Sequence, residues 1–187
     1  MPTVVELKQL AKLSGYKGYY KLNKLALIQL LEGNTKKNPN TKQTFTVLSD
    51  RAQISKELLS KILKSQTGCF GYQNIDTVEN TLMYMLDQQN VFFINGMVGN
   101  KITTGVLVNR EEKEFKVYNM CTDKTVRGKG YGADIIKFLI TYCKNKFPNT
   151  KTLVLDALDD TKQFYEKLGF VKLKKNNNGS YNLIYKY

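Results

Sequence analysis

The 187-residue chain contains no histidine, and that one absence removes a large part of enzyme chemistry. A Ser-His-Asp triad, a Cys-His nucleophile pair and any zinc site built on imidazole are excluded. Cysteine is scarce too. Cys69, Cys121 and Cys143 stand far apart with no CxxC spacing, so neither a four-thiolate zinc site nor a disulfide framework is expected, and a reducing compartment fits best. No uninterrupted apolar run approaches the roughly 18 residues of a membrane span. The opening MPTVVELKQL also lacks a basic-then-apolar signal pattern, which predicts a soluble intracellular protein with no membrane partner. Acidic side chains are outnumbered: 16 Asp and Glu against 29 Lys and Arg leave a net charge of +13, which favours encounters with nucleic acid and other polyanions.

What is present reads as a folded chain. Hydrophobic residues make up 42% and charged residues 24%, enough to build a core and too apolar for wholesale disorder. Val4, Leu7, Leu10 and Ala11 share one helical face, and Thr3 with Glu6 has capping-box spacing. A second apolar-periodic run from Leu22 to Leu31 ends at Gly33, so residues 1–33 are predicted to form a small helical hairpin. The polar, basic stretch NTKKNPNTKQT over 34–44 reads as a linker. From 45 to 187 both periodicities alternate, giving the order β-α-α-β-β-β-α-β-α-β-β. The expected fold is α+β: a mixed, mostly antiparallel central sheet flanked by helices, plus the hairpin.

The sharpest local signal is Arg127-Gly128-Lys129-Gly130-Tyr131-Gly132, between a strand and a long amphipathic helix. Glycines let a backbone approach a ligand, and first-turn N–H groups at the positive helix end attract phosphate. It is not a Walker A loop, because no Gly-Lys is followed by Ser or Thr. Gly128, Gly130 and Ala133 fit a degenerate dinucleotide pattern, with Asp156 at a strand end. That reading fails on context, since Thr122 to Val126 separate the loop from its strand and only Ala157 to Tyr187 remain for a second half-sheet.

At these residues the chain resembles the GCN5-related N-acetyltransferase (GNAT) superfamily, whose motif R/Q-x-x-G-x-G/A is filled by Arg127, Gly130 and Gly132. Phe164-Tyr165-Glu166-Lys167-Leu168-Gly169-Phe170 resembles the superfamily's FYxKLGF segment. The resemblance implies acetyl-CoA as donor and a primary amine as acceptor: protein lysine, polyamine or small amine. It places the pyrophosphate on the backbone from Arg127 through Gly128, Lys129, Gly130, Tyr131 and Gly132 into the turn at Ala133. It places the pantetheine arm along Met120, Cys121 and Thr122, and gives Tyr165 the role of general acid toward the departing thiolate. Relatives acting on protein lysine often carry a Glu six residues before the position of Thr122; here it is Lys116. Without histidine the base must be a carboxylate or a water relay, and Glu114, Asp123 and Asp156 are the candidates.

The hairpin resembles the SAP-like helix-extended-loop-helix DNA-binding modules, above all those in proteins of large DNA viruses, through Leu7, Gly15, Gly18, Leu22, Lys24, Leu27 and Leu30. Lys8, Lys12, Lys17, Lys21 and Lys24 would meet phosphates; docking onto the catalytic domain or a protein partner, with the lysines merely solvated, is the other reading. Two functions therefore stand: an N-acetyltransferase, or a catalytically inactive CoA- or DNA-binding protein on the same scaffold.

Overall fold

A computed structural model describes residues 3–13, 19–31, 42–66 and 75–187. The hairpin comprises α1 (Val4–Leu13) and α2 (Lys24–Leu31). Its first helix starts as the sequence predicts: the Thr3 N–H donates to Glu6 Oε2 at 2.7 Å and the Glu6 N–H donates to Thr3 Oγ1 at 3.3 Å. The two helices close on a small core of their own, Leu7, Ala11 and Leu27, against which Tyr19, Leu22 and Ile28 pack. Gly15, Gly18 and Gly33, which the sequence reading used as turn and stop signals, lie outside the described residues.

The rest is one sheet with helices on both faces. Its strands are β1 (Thr44–Leu48), β2 (Val91–Val98), β3 (Lys101–Arg110), β4 (Phe115–Thr122), β5 (Thr152–Ala157), β6 (Val171–Lys175) and β7 (Tyr181–Lys186), in spatial order β1-β2-β3-β4-β5-β7-β6. Only the β4–β5 pair is parallel. The period of two sorts β2 between two cores. Phe92 and Ile94 join Ile135, Ile136 and Leu139 of α5 (Tyr131–Lys146), while Val91 and Phe93 join Ile62 of α3 (Lys56–Gln66) and Leu82 of α4 (Ile75–Leu86). Cover on both faces is why VFFI is a continuous apolar run rather than an alternating one. The short α6 (Asp159–Glu166) lies on the α5 face, with Phe164 and Tyr165 packed against the larger core.

The sheet begins one residue before the boundary read from the sequence, at Thr44, and Gln43 before it is buried. Its Nε2 donates to Thr103 Oγ1 at 2.6 Å and Thr104 Oγ1 at 2.8 Å. Composition marks this stretch as linker because its polar residues look solvated; the amide nitrogen instead reaches β3 hydroxyls some sixty positions away.

One irregularity shapes everything that follows. In the β3–β4 ladder Val108 faces Val117 and Leu107 faces Asn119, so Tyr118 is an extra residue in β4. A bulge bends its strand and sharpens the local twist. On its other edge β4 pairs with β5 only over Phe115–Val117, against Leu153–Leu155. From Tyr118 to Thr122 no strand pairs with that edge among the described residues. The two parallel strands splay apart toward their C-terminal ends.

Candidate functional site

The opening between β4 and β5 is built residue by residue. Where β4 ends, Asp123 caps a short 3-10 turn over Lys124–Val126, its Oδ1 accepting from the Thr125 N–H at 2.8 Å and the Thr125 hydroxyl at 2.6 Å. Lys101, at the start of β3, reaches across to donate to Thr125 Oγ1 at 2.6 Å and to pair with Asp123 Oδ2 at 3.2 Å. Burial pushes the Asp123 carboxyl up, but hydrogen bonds from Thr125 and Lys101 outweigh it and hold the group below the usual aspartate range. Arg127 then folds back, its Nε donating to the Thr122 carbonyl at 3.1 Å.

The glycine loop follows. Gly128 (φ 77°) and Gly130 (φ 81°) are both left-handed, a conformation that a Cβ makes costly. Gly130 caps the 16-residue α5 with no side-chain hydrogen bond to its first amides. Gly132 keeps a close contact for a different reason: a Cβ there would stand 3.0 Å from Met120 Cε and 3.1 Å from Thr122 Oγ1, so those side chains would have to give by a few tenths of an ångström. The start of α5 is thus pressed onto the open half of β4. Tyr131 is buried, Ala133 partly so, and Lys129 is exposed.

Tyr165 enters from α6. Its hydroxyl donates to Met120 Sδ at 3.4 Å, while its ring packs edge-on to Phe164 and Phe170. Burial pushes its phenol up to about 12. A thioether is a weak acceptor, so this proton is held without a strong partner.

The remaining candidates fall elsewhere. Glu114 precedes β4 in the β3–β4 turn, where its carbonyl accepts the Glu111 N–H. At about 3.3 Å per residue it stands on the order of 25 Å along the strand from Thr122. Lys116, near the same end, lies 5.4 Å from the Tyr118 ring. Asp156 is exposed on β5 and accepts from Asn176 at 2.9 Å and Asn182 at 3.1 Å. Cys121 corrects an expectation: it is buried on β4 and disulfide-bonded, although linear spacing offered no disulfide framework. Spacing along the chain cannot report proximity across a fold. Lys101 and Thr125 were missed altogether, since the first lies some twenty residues from the loop and is one lysine among many. Among the described residues no cluster of His, Cys, Asp and Glu could hold a metal ion, and no helix is long and apolar enough to cross a membrane.

These residues suit a CoA thioester on three counts. Among the described residues no strand pairs with the β4 edge from Tyr118 to Thr122, the amides of α5 lack a side-chain cap, and the strand end meets the helix start closely enough to crowd a Cβ at Gly132. Several solved structures of this shape are described as acetyl- or acyltransferases. An acetyltransferase from Streptococcus agalactiae has a TM-score of 0.62 at 13% identity, covering 78% of this chain and 98% of its own. An acyl-CoA N-acyltransferase from Pseudomonas aeruginosa has a TM-score of 0.61 at 13% identity, covering 76% and 99%. The PaiA N-acetyltransferase of Thermoplasma acidophilum, solved in complex with coenzyme A, has a TM-score of 0.59 at 12% identity, covering 77% and 99%. No curated protein sequence matches the chain. Residues 36–182 match the sequence model of the acetyltransferase (GNAT) domain. With most of its length inside that match and the splayed β4–β5 sheet behind it, the chain belongs to the GNAT acetyltransferase family.

Proposed function

We propose that the protein is an acetyl-CoA-dependent N-acetyltransferase acting on a primary amine. The observation that carries this is the coincidence, at one end of the sheet, of a β4 edge that no strand joins among the described residues, the left-handed glycine loop before an uncapped helix, and the Tyr165 hydroxyl turned toward that edge. The amides from Arg127 to Gly132, with the first turn of α5 at Ala133, would hold the pyrophosphate, because N–H groups and the helix dipole both favour an anion there. Backbone N–H groups of Met120 to Thr122 would polarise the thioester carbonyl, an oxyanion site that needs no side chain.

Tyr165 serves the leaving sulfur. With its phenol at about 12 it keeps its proton at neutral pH. An ordinary thiol titrates near 8.5, so complete transfer to a thiolate is uphill in the unliganded cleft and the group acts first as a hydrogen-bond donor to charge building on sulfur. For the amine proton, Glu114 is too distant, Asp123 is engaged by Thr125 and Lys101, and Asp156 by Asn176 and Asn182. Water within the opening takes it.

The hairpin adds a second element to this reading. Lys12, Lys21 and Lys24 are exposed around a self-contained core, an arrangement suited to weak, phosphate-dominated contact with DNA. The inactive-scaffold alternative draws its support from Lys116 standing where lysine-modifying relatives often carry an acid. Incubation with acetyl-CoA and a panel of lysine peptides, polyamines and small amines decides between them. Acetylated product with release of free thiol supports the enzyme; saturable acetyl-CoA binding with no product from any amine supports the scaffold.

A further inference from the structure

The last hairpin of the sheet carries a charge arrangement that the acetyl-transfer site does not use. β6 is the outer strand, paired only with β7, and all five of its residues are exposed. Between residues 162 and 187 there are six lysines and a single acidic residue, Glu166. Three of those lysines converge on one ring. The ammonium groups of Lys162, Lys172 and Lys175 lie 5.1, 4.7 and 5.3 Å from the centroid of Tyr181, at the start of β7. Lys162 also pairs with Glu166 at 3.2 Å, while Lys172 and Lys175 have no carboxylate within ion-pair distance among the described residues.

Lysines on an outer strand have an ordinary use: they deter another strand from adding to the edge. That accounts for Lys172 and Lys175. It does not account for a third ammonium brought by α6 to the same ring, because like charges gathered over one tyrosine repel and the π face repays only a little of that. A phosphate placed among them supplies the missing counter-charge. Tyr181 is half-buried against the larger core; as the ammonium groups over its ring turn to phosphates, the exposed part is left for an unpaired base, since every base has a π face and stacking on tyrosine does not require a particular sequence. A duplex offers phosphates but no free base face.

We infer that the β6–β7 hairpin with Lys162 is a docking surface for single-stranded nucleic acid, in which Tyr181 stacks on a base and Lys162, Lys172 and Lys175 hold neighbouring phosphates. The surface is separate from residues 1–44 and does not depend on the acetyl-transfer reading.

The test uses the full-length chain and a fluorescein-labelled oligo-dT, with anisotropy read over a range of salt concentrations. Lys172→Glu with Lys175→Glu is expected to weaken binding at least tenfold at low salt. It should also flatten log Kd against log salt by about 1.4, from about 0.7 per phosphate contact on a single strand. The milder pair Lys172→Gln with Lys175→Gln should shift both in the same direction, which guards against a folding defect in the reversed-charge variant. Tyr181→Leu should weaken binding with the salt slope unchanged. Ultraviolet crosslinking to an oligo-dT carrying 5-iodouracil should map to Tyr181. An unchanged slope with crosslinks confined to residues 1–44 overturns the inference. So does a loss of acetyl-CoA affinity equal to the loss of oligonucleotide affinity, which would give the cluster to the cofactor's phosphates. Equal displacement by poly-glutamate without a Tyr181 crosslink overturns it as well, in favour of an acidic protein.

Discussion

Tyr165 is a packed side chain and, in the proposed mechanism, a proton donor, and the two demands act on the same hydroxyl. Packing among Phe164, Phe170 and Met120 desolvates it, and desolvation raises the phenol to about 12. Tyr165→Phe removes only the hydroxyl, so acetyl-CoA affinity measured by calorimetry should change little while kcat falls about 10- to 1000-fold. An unchanged kcat, with chemistry rate-limiting, would leave the tyrosine a core residue. A stability signature accompanies this. The folded chain holds the phenolic proton more tightly than the unfolded chain does, so this contribution is intact below pH 10 and is lost as pH rises from about 10 toward 12. Denaturant melts across that window should show the wild type losing more stability than Tyr165→Phe. Cys143, pushed up to about 12 by burial, is common to both proteins and cancels in the difference.

At the scale of elements, the strand-turn-helix unit from Met120 to Gly132 is held by contacts from outside itself. Lys101→Met would take the ammonium from Asp123 Oδ2 and Thr125 Oγ1 together, leaving the turn that feeds the glycine loop to the Asp123–Thr125 bonds alone and loosening it. The expected outcome is a several-fold rise in KM for acetyl-CoA with kcat nearly unchanged, partly rescued by Lys101→Arg. Asp123→Ala should cost about 1 kcal/mol at neutral pH, the scale of a lost cap. Because the native carboxyl titrates below its unfolded value, the stabilisation is present above about pH 4 and disappears as pH falls through the lowered native value. Acid unfolding of the variant should therefore converge on that of the wild type. Gly130→Asp sets an anion where the pyrophosphate is proposed to sit, and it should abolish the rise in melting temperature that acetyl-CoA gives.

For the molecule as a whole, the useful question is where the hairpin stops and the domain starts. Removing residues 1–41 deletes α1 and α2 and leaves Gln43 bonded to Thr103 and Thr104. That truncation should keep turnover of a small amine and lower affinity for duplex DNA, as measured by anisotropy. Removing residues 1–44 also takes the Gln43 amide and the first residue of β1, leaving two buried hydroxyls without their donor. A lost buried hydrogen bond costs about 1–3 kcal/mol, so the longer deletion should melt at a lower temperature than the shorter one. Equal melting temperatures would show that the Gln43 contacts contribute nothing.

The order of elements, the α+β class, the glycine loop and the Phe164–Phe170 segment are all local, and they were legible in the sequence because periodicity, turn residues and helix caps act over a few positions. Thr3 with Glu6 is the plainest case, a spacing of three that becomes two hydrogen bonds. What the tertiary structure alone decided lies across the fold. The bulge at Tyr118 and the splay of β4 from β5 come from ladder pairing between strands, and nothing in KVYNMC announces them. Glu114 looked like a neighbour of the site because it shares a strand with it, yet strand rise carries it to the far end. Asp123 looked like a free carboxylate until a lysine twenty-two positions earlier closed on it. Single side chains gain their partners and their proton affinities from what packs beside them, and that is set by the sheet as a whole.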